Sequence, residues 1–412
     1  MTPSKRHPVL LAALIAALPV LLVVGIWWGG HPQHLPGFLR GLVADSDTRV
    51  VNQALDDIRA DYYRSVRRSE LVDASISGMV ANLHDRFSSY FTPSEYRQYT
   101  QESDARFSGV GMTVRADPHG LRVLEVYNGA PAARAGIRSG DVVTAVNGRS
   151  LLGVRESDAT TRIKGRPGTQ VTLTVQRGAL TFTRRLTRAT VSVPVVASHA
   201  RTVAGVKLAD VALATFSNGA HGQVRQAIDR ALGAGARGVV LDLRHNGGGL
   251  VEEARLVASI FLPDGTIVTT RGRSQAATTL TAAGDAISPK VAVVVLVDGQ
   301  TASASEIVAA ALQDHGRATV VGARTFGKGV FQEVRPLSNG GALDLTVGEY
   351  FTPKGRNLGG GGIKRGAGIT PDVRAVDDPN TPGDEALDTA FSVLARKLTA
   401  GPGPAGRGAG KR

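Results

Sequence analysis

Hydrophobic and polar positions change their rhythm several times along the chain, and each change predicts a different kind of segment. Residues 9–28, VLLAALIAALPVLLVVGIWW, are apolar without a charged residue. Between residues 45 and 103 the apolar positions recur at helical spacing: Val51, Leu55, Ile58 and Tyr62, then Leu71, Met79 and Leu83. Over residues 104–190 short runs alternate apolar and polar positions, as in GMTVRAD, LRVLEVY, DVVTAVNG and VTLTVQR. Turn signals such as DPHG, NGRS and RPGT separate them, which predicts a small β-rich domain with one short and one longer helix. From residue 191 to 398 strands and helices take turns. VKLADVALATF precedes a helix over 221–232, GVVLDLR a helix over 250–261, and VAVVVLV a helix starting at Ser303, followed by ATVVG. Unbroken apolar runs alternating with helices predict an α/β domain whose strands are largely parallel and covered on both faces.

The first apolar run bears on compartment. Twenty residues at ~1.5 Å rise span a bilayer core of ~30 Å. Lys5 and Arg6 before the run keep that end cytoplasmic and export the chain beyond it. The exit, WWGGHPQH, lacks the small-residue pattern of a cleaved signal, so residues 1–30 are expected to be an uncleaved signal anchor, with a cleaved signal as the alternative. Residues 31–44 read as a linker, and the Gly/Pro-rich basic stretch 399–412 as a tail without a core of its own. The catalytic or binding part is then expected outside the cytoplasm.

Composition narrows the chemistry. There is no cysteine, which excludes disulfides, thiol nucleophiles and thiolate metal sites. A net charge of +13 would suit nucleic acid, but no basic recognition helix, zinc finger or RNA-binding aromatic signature accompanies it. Anionic lipid headgroups or envelope polymers fit the exported reading better. His84 has no second ligand at helical spacing, so a metal site is not expected there.

Three stretches of the α/β part carry candidate chemistry. GQTASASEIVAAAL puts Ser303 at a strand-to-helix turn. With Glu306 it matches a capping box, a purely structural role. The same location also suits a nucleophile, because helix N–H groups and the helix dipole favour a developing oxyanion. RTFGKGVFQEV sets Lys328 between two glycines and among Phe326, Val330 and Phe331. A lysine taken into apolar surroundings loses hydration, its pKa falls from ~10.4 toward neutrality, and the free amine can accept a hydroxyl proton. An exposed lysine in a glycine-rich turn is the bland alternative. DLRHNGGGL ends a strand with Asn246 and three glycines, which let backbone N–H groups approach a substrate. His221, His245 and His315 show no carboxylate arrangement in the sequence that would make one of them the base.

These three stretches, in this order, resemble the successive signatures of the carboxy-terminal processing (tail-specific) proteases. The similarity covers roughly residues 45–395, with FSSYFTP, FSGVGM, APAARAGIRSGDVVTAVNG and GITPDV also in sequence. The resemblance implies a crotonase/ClpP-like α/β serine protease core carrying an inserted PDZ domain, and an N-terminal helical region. It implies Ser303 as nucleophile, Lys328 as base and Gln332 as the residue that orients it, with oxyanion donors from Ala304 and Gly249. It further implies that Val110, Gly111 and Met112 form the loop that captures a peptide C-terminus while the peptide adds a strand. Substrates would be proteins or peptides with apolar C-termini, and no metal or organic cofactor is implied. Homo-oligomer formation through the N-terminal helices stays open. Two rival readings remain: an envelope adaptor that binds C-termini without cutting, and an acyl-CoA hydratase or hydrolase of crotonase-like fold.

Overall fold

The computed structural model describes residues 46–399 except 275, 363, 365 and 379. The expected anchor, the linker and the basic tail from residue 400 lie outside the described residues. Among the described residues no helix is long and apolar enough to cross a membrane.

The described residues fall into two compact units that divide between Arg86 and Phe87. In the first, α1 (Ser46–Asp61) and α2 (Arg68–Ala81) are joined by Arg68, which bonds Asp56 at 2.6 Å and Asn52 at 3.0 Å. The helices form where the periodicity predicts them. Their apolar stripe is not all covered, however: Leu55 and Val80 are buried, whereas Val51, Ile58, Tyr62 and Met79 stay exposed.

The second unit opens with β1 (Ser89–Phe91) and α3 (Pro93–Ser103). A β-rich domain comes next: β2 (Arg106–Gly109), β3 (Met112–Asp117), β4 (Gly120–Val126), α4 (Pro131–Arg134), β5 (Val142–Val146), β6 (Arg149–Ser150), α5 (Glu156–Ile163), β7 (Gln170–Arg177), β8 (Leu180–Thr187) and β9 (Ala189–Ser192). Strands β3-β4-β5-β7-β8 form one antiparallel sheet, with β6 on β5 and β3 at an edge. Leu121, Val123, Val143, Leu173 and Val175 fill its core against Ala159 and Ile163 of α5. β2 pairs with β9, so chain entry and exit are tied together.

The remaining chain forms β10 (Val196–Val203), β11 (Val206–Leu213), α6 (Ala220–Gly233), β12 (Gly238–Asp242), α7 (Val251–Ser259), β13 (Thr266–Gly272), β14 (Thr278–Thr281), β15 (Ala292–Val297), α8 (Ala304–Asp314), β16 (Thr319–Gly322), β17 (Val330–Pro336), β18 (Ala342–Phe351), β19 (Val373–Arg374) and α9 (Glu385–Thr399). Its main sheet runs β10-β11-β12-β15-β16-β19 and is parallel from β11 onward. Alternate residues serve opposite faces. Val293, Val295 and Val297 enter the core that holds α6, α7 and α8, while Val294 and Leu296 pack with Phe391 and Leu394 of α9. That double cover explains the unbroken apolar run.

A second, antiparallel sheet is not anticipated by the sequence pattern. It takes β1-β18-β13-β14, with β17 on the other side of β18. Most of β18 is only half-buried, so its side chains carry a weak period-two signal and its strand partners define it.

Candidate active site

Strands β11, β12, β15 and β16 are neighbours in the sheet, so the loops at their carboxyl ends lie side by side. Such ends are where open α/β sheets place their sites. The loop after β12 carries the three glycines, the loop after β15 carries Ser303, and the loop after β16 carries Lys328.

Buried polar groups lock these loops together. Asn246, fully buried, donates through Nδ2 to the Leu213 carbonyl at 2.8 Å and accepts the Gly248 N–H at 2.9 Å. Its own carbonyl accepts from Ala302 N–H at 3.1 Å and from Ser305 Oγ at 2.9 Å. Thr301 Oγ1 donates to the Leu243 carbonyl at 2.9 Å. Phe216 completes the frame, donating to Gly248 O at 3.0 Å and accepting from Leu250 N–H at 2.8 Å. An alanine at Gly248 would bring a Cβ within 2.9 Å of Ser303 Cβ and of the Ala304 nitrogen, which shows how closely the glycine loop meets the helix start. Neither Ala304 N–H nor Gly249 N–H donates to a protein acceptor among the described residues.

Ser303 is the N-cap of α8 and sits at φ 56° and ψ −117°, a backbone conformation that side-chain-bearing residues rarely adopt. Its N–H donates to Glu306 Oε2 at 2.9 Å. Lys328 Nζ donates to Gln332 Oε1 at 2.6 Å and lies 4.8 Å from the centre of the Phe87 ring. Gln332 is fixed in turn through Nε2 to Thr346 Oγ1 at 3.0 Å. A register shift in the β17–β18 pairing between Phe331 and Gln332 accompanies this turn of the strand. One cleft of about 380 Å³ is lined by Ser303, Lys328, Gln332 and Gly249, together with Tyr99, Phe216, Leu250, Val334 and Tyr350.

The sequence reading missed two of these participants. Tyr350 is buried on β18 and lines the cleft with Ser303, and burial pushes its phenol well above its ordinary value while the nearby Ser303 hydroxyl pulls the other way. It is therefore neutral beside the serine. Phe87, in the FSSYFTP stretch, supplies an aromatic face beside the lysine. Neither was identifiable without the second sheet, which carries Tyr350 to the cleft. The histidines do have acidic neighbours: His221 Nδ1 lies 2.8 Å from Glu253 and His245 Nδ1 2.9 Å from Asp298. Neither histidine lines the cleft. Among the described residues no cluster of three or more metal-binding side chains occurs.

In the β-rich domain, Val110 and Gly111 link β2 to β3. Gly111 has φ +80°, and a Cβ there would lie 2.2 Å from Ala130 Cβ. Val110 O and Gly111 O accept from Ala132 N–H and Tyr127 N–H at 2.8 and 3.0 Å, while their own N–H groups meet no protein acceptor among the described residues. Met112 begins the edge strand β3.

Family models match along this framework. Residues 207–375 match peptidase family S41, residues 122–177 a PDZ domain, and residues 41–94 the N-terminal domain of the activating protease CtpB. A probable CtpA-like serine protease of Staphylococcus saprophyticus is 32% identical over 378 residues, covering 90% of this chain and 72% of that one. The chain belongs to peptidase family S41. A probable CtpA-like serine protease of Staphylococcus aureus strain MRSA252 is 34% identical over 324 residues, 78% of this S41 chain. This chain spans 63% of that relative's length. Among solved structures, the photosystem II D1 C-terminal processing protease is 29% identical, with 86% of this chain and 99% of that chain covered at a TM-score of 0.49.

Proposed function

We propose that this S41-family chain is a serine endopeptidase that hydrolyses peptide bonds with a Ser303/Lys328 dyad and takes protein C-terminal tails through its PDZ domain. The observation that carries the reading is one cleft holding Ser303 and Lys328, with Lys328 Nζ held 2.6 Å from Gln332 Oε1. In its neutral form Lys328 removes the Ser303 hydroxyl proton as Oγ bonds to the scissile carbonyl carbon. The carbonyl oxygen becomes the oxyanion and is met by the N–H groups of Ala304 and Gly249. The C–N bond then breaks, and the Lys328 ammonium returns its proton to the leaving amine. Water attacks the acyl ester, Lys328 again takes and returns a proton, and a new carboxylate leaves Ser303 free.

Substrate tails enter where Val110, Gly111 and Met112 start the edge strand. The carboxylate meets the unclaimed N–H groups and the tail extends β3. Residues 9–28 would anchor the chain in a membrane, with the catalytic part on the extracytoplasmic side. Protease accessibility in intact and permeabilised cells tests that placement.

Purified Ser303→Ala and Lys328→Ala variants, given an unstructured peptide with an apolar tail, should each lose cleavage by more than about a thousandfold while keeping the wild-type thermal transition. Retained activity in either variant would falsify the dyad. Cleavage at wild-type rate by a chain whose tail binding has been abolished would instead remove the PDZ step.

A further inference from the structure

We propose that Glu306 is a positioning residue for the dyad, one buried carboxylate that fixes the backbone of the nucleophile and of the base together. The inference rests on the reading of Ser303 and Lys328 as that dyad. In a capping box the glutamate at the third helical position serves the N-cap N–H of its own helix and nothing else. Here the same side chain reaches the loop after β16 as well. Oε2 accepts from Ser303 N–H and from Lys328 N–H, each at 2.9 Å. Oε1 accepts from Gly327 N–H at 2.8 Å and from Thr325 Oγ1 at 2.5 Å. A carboxylate has about four acceptor positions, and all four are filled by groups from the nucleophile's turn and the base's loop.

The surroundings leave this group no freedom to move. Glu306 and Thr325 are fully buried. A Cβ at Gly368 would stand 2.3 Å from Glu306 Oε1 and 2.2 Å from Thr325 Oγ1, so a glycine is required to let that segment close over them. Thr325 Oγ1 also accepts Ile369 N–H at 2.7 Å, which ties the same segment to the anchor. Burial raises the Glu306 carboxyl above the ordinary glutamate range, and the Thr325, Lys328, Gly327 and Ser303 donors act against that rise. Ser303 at φ 56° needs an external hold, since an L-residue relaxes out of that conformation unless neighbours enforce it. Glu306 supplies the hold and transmits it to Lys328, so the separation of hydroxyl and amine is set by one side chain that never touches substrate.

Glu306→Gln tests this at constant volume. The amide offers one acceptor oxygen and turns an NH2 group toward donors that need an acceptor. In the purified full chain with an apolar-tailed peptide, kcat should fall about 100-fold, the scale of a small misplacement of reacting groups, while KM stays within about threefold. Ser303→Ala and Lys328→Ala are assayed alongside. If either of them still cleaves, the dyad reading fails and takes this inference with it. If both are inactive and folded Glu306→Gln keeps kcat within threefold of wild type, only the role of Glu306 is overturned. Should Glu306→Gln lose the thermal transition, Thr325→Val decides. A three- to tenfold drop in kcat at unchanged KM, restored by Thr325→Ser, supports the anchor, and a wild-type kcat overturns it.

Discussion

Lys328 and Gln332 are joined by a 2.6 Å bond from the lysine Nζ to the amide oxygen, and the amide nitrogen of Gln332 is held 3.0 Å from Thr346 Oγ1. The relay aims the lysine by a strand-borne side chain, so orientation depends on β18 as much as on the lysine's own loop. Gln332→Leu, which keeps the size and removes both bonds, should lower kcat about 10- to 100-fold with little change in KM. Thr346→Val should lower it less, because the first bond survives. Steady-state kinetics on both variants checks the order, and a larger effect at Thr346 would contradict the relay.

Tyr350 stands against Ser303 as a neutral phenol. Tyr350→Phe keeps the ring and its packing with Phe331, whose centroid lies 5.4 Å away. The expected outcome is an intact fold and a three- to tenfold loss of kcat, because the cleft loses a polar group beside Ser303. Unchanged kcat would make the phenol a packing group only.

Asp210 on β11 is buried, and its Oδ1 has no hydrogen-bond partner among the described residues. Burial, then repulsion from Asp242, raises its carboxyl to about 7, against the pull of Arg244. Its folded value exceeds its unfolded one, so its stabilisation is complete below about pH 4 and is lost as pH rises through 7. Asp210→Asn should therefore raise the unfolding free energy obtained from urea titration at pH 8, by a few kcal/mol at most, and give no gain at pH 4. Equal gains at both pH values would contradict the buried-charge account.

Gly248 is at φ +106° and has no room for a side chain beside Ser303. Gly248→Ala should remove most labelling of Ser303 by a serine-directed phosphonylating reagent, since the glycine loop must retreat from the helix start. Wild-type labelling would show that the loop can give.

Gly111 makes the parallel case in the PDZ domain. A methyl group there meets Ala130 Cβ at 2.2 Å and would be strained by the positive φ as well. Gly111→Ala should weaken binding of an apolar-tailed peptide at least tenfold by calorimetry. Undiminished binding would place tail recognition elsewhere.

Much of the candidate site was legible along the chain because its parts are local signals. A serine at a strand-to-helix turn, a glutamate three positions on, a lysine between glycines and a glycine run after an apolar strand each reflect backbone constraints that adjacent residues impose. The run 292–297 announced a doubly covered strand because both faces of β15 are lined by apolar partners. The helix periodicity in residues 46–81 was equally plain, but it did not reveal which stripe stays open. Periodicity records where apolar side chains point and leaves their cover unspecified.

The chain by itself therefore determined the order of strands and helices, the two domain textures and the residue types available for chemistry. Tertiary structure alone decided that Phe87 faces Lys328, that Tyr350 faces Ser303, and that Glu306 serves two loops at once. Those relations join residues far apart in the chain through strand pairing and burial, and neither spacing nor composition encodes a partner that comes from another sheet. Local conformation is set by neighbours along the backbone, whereas proton-transfer geometry is set by neighbours in space.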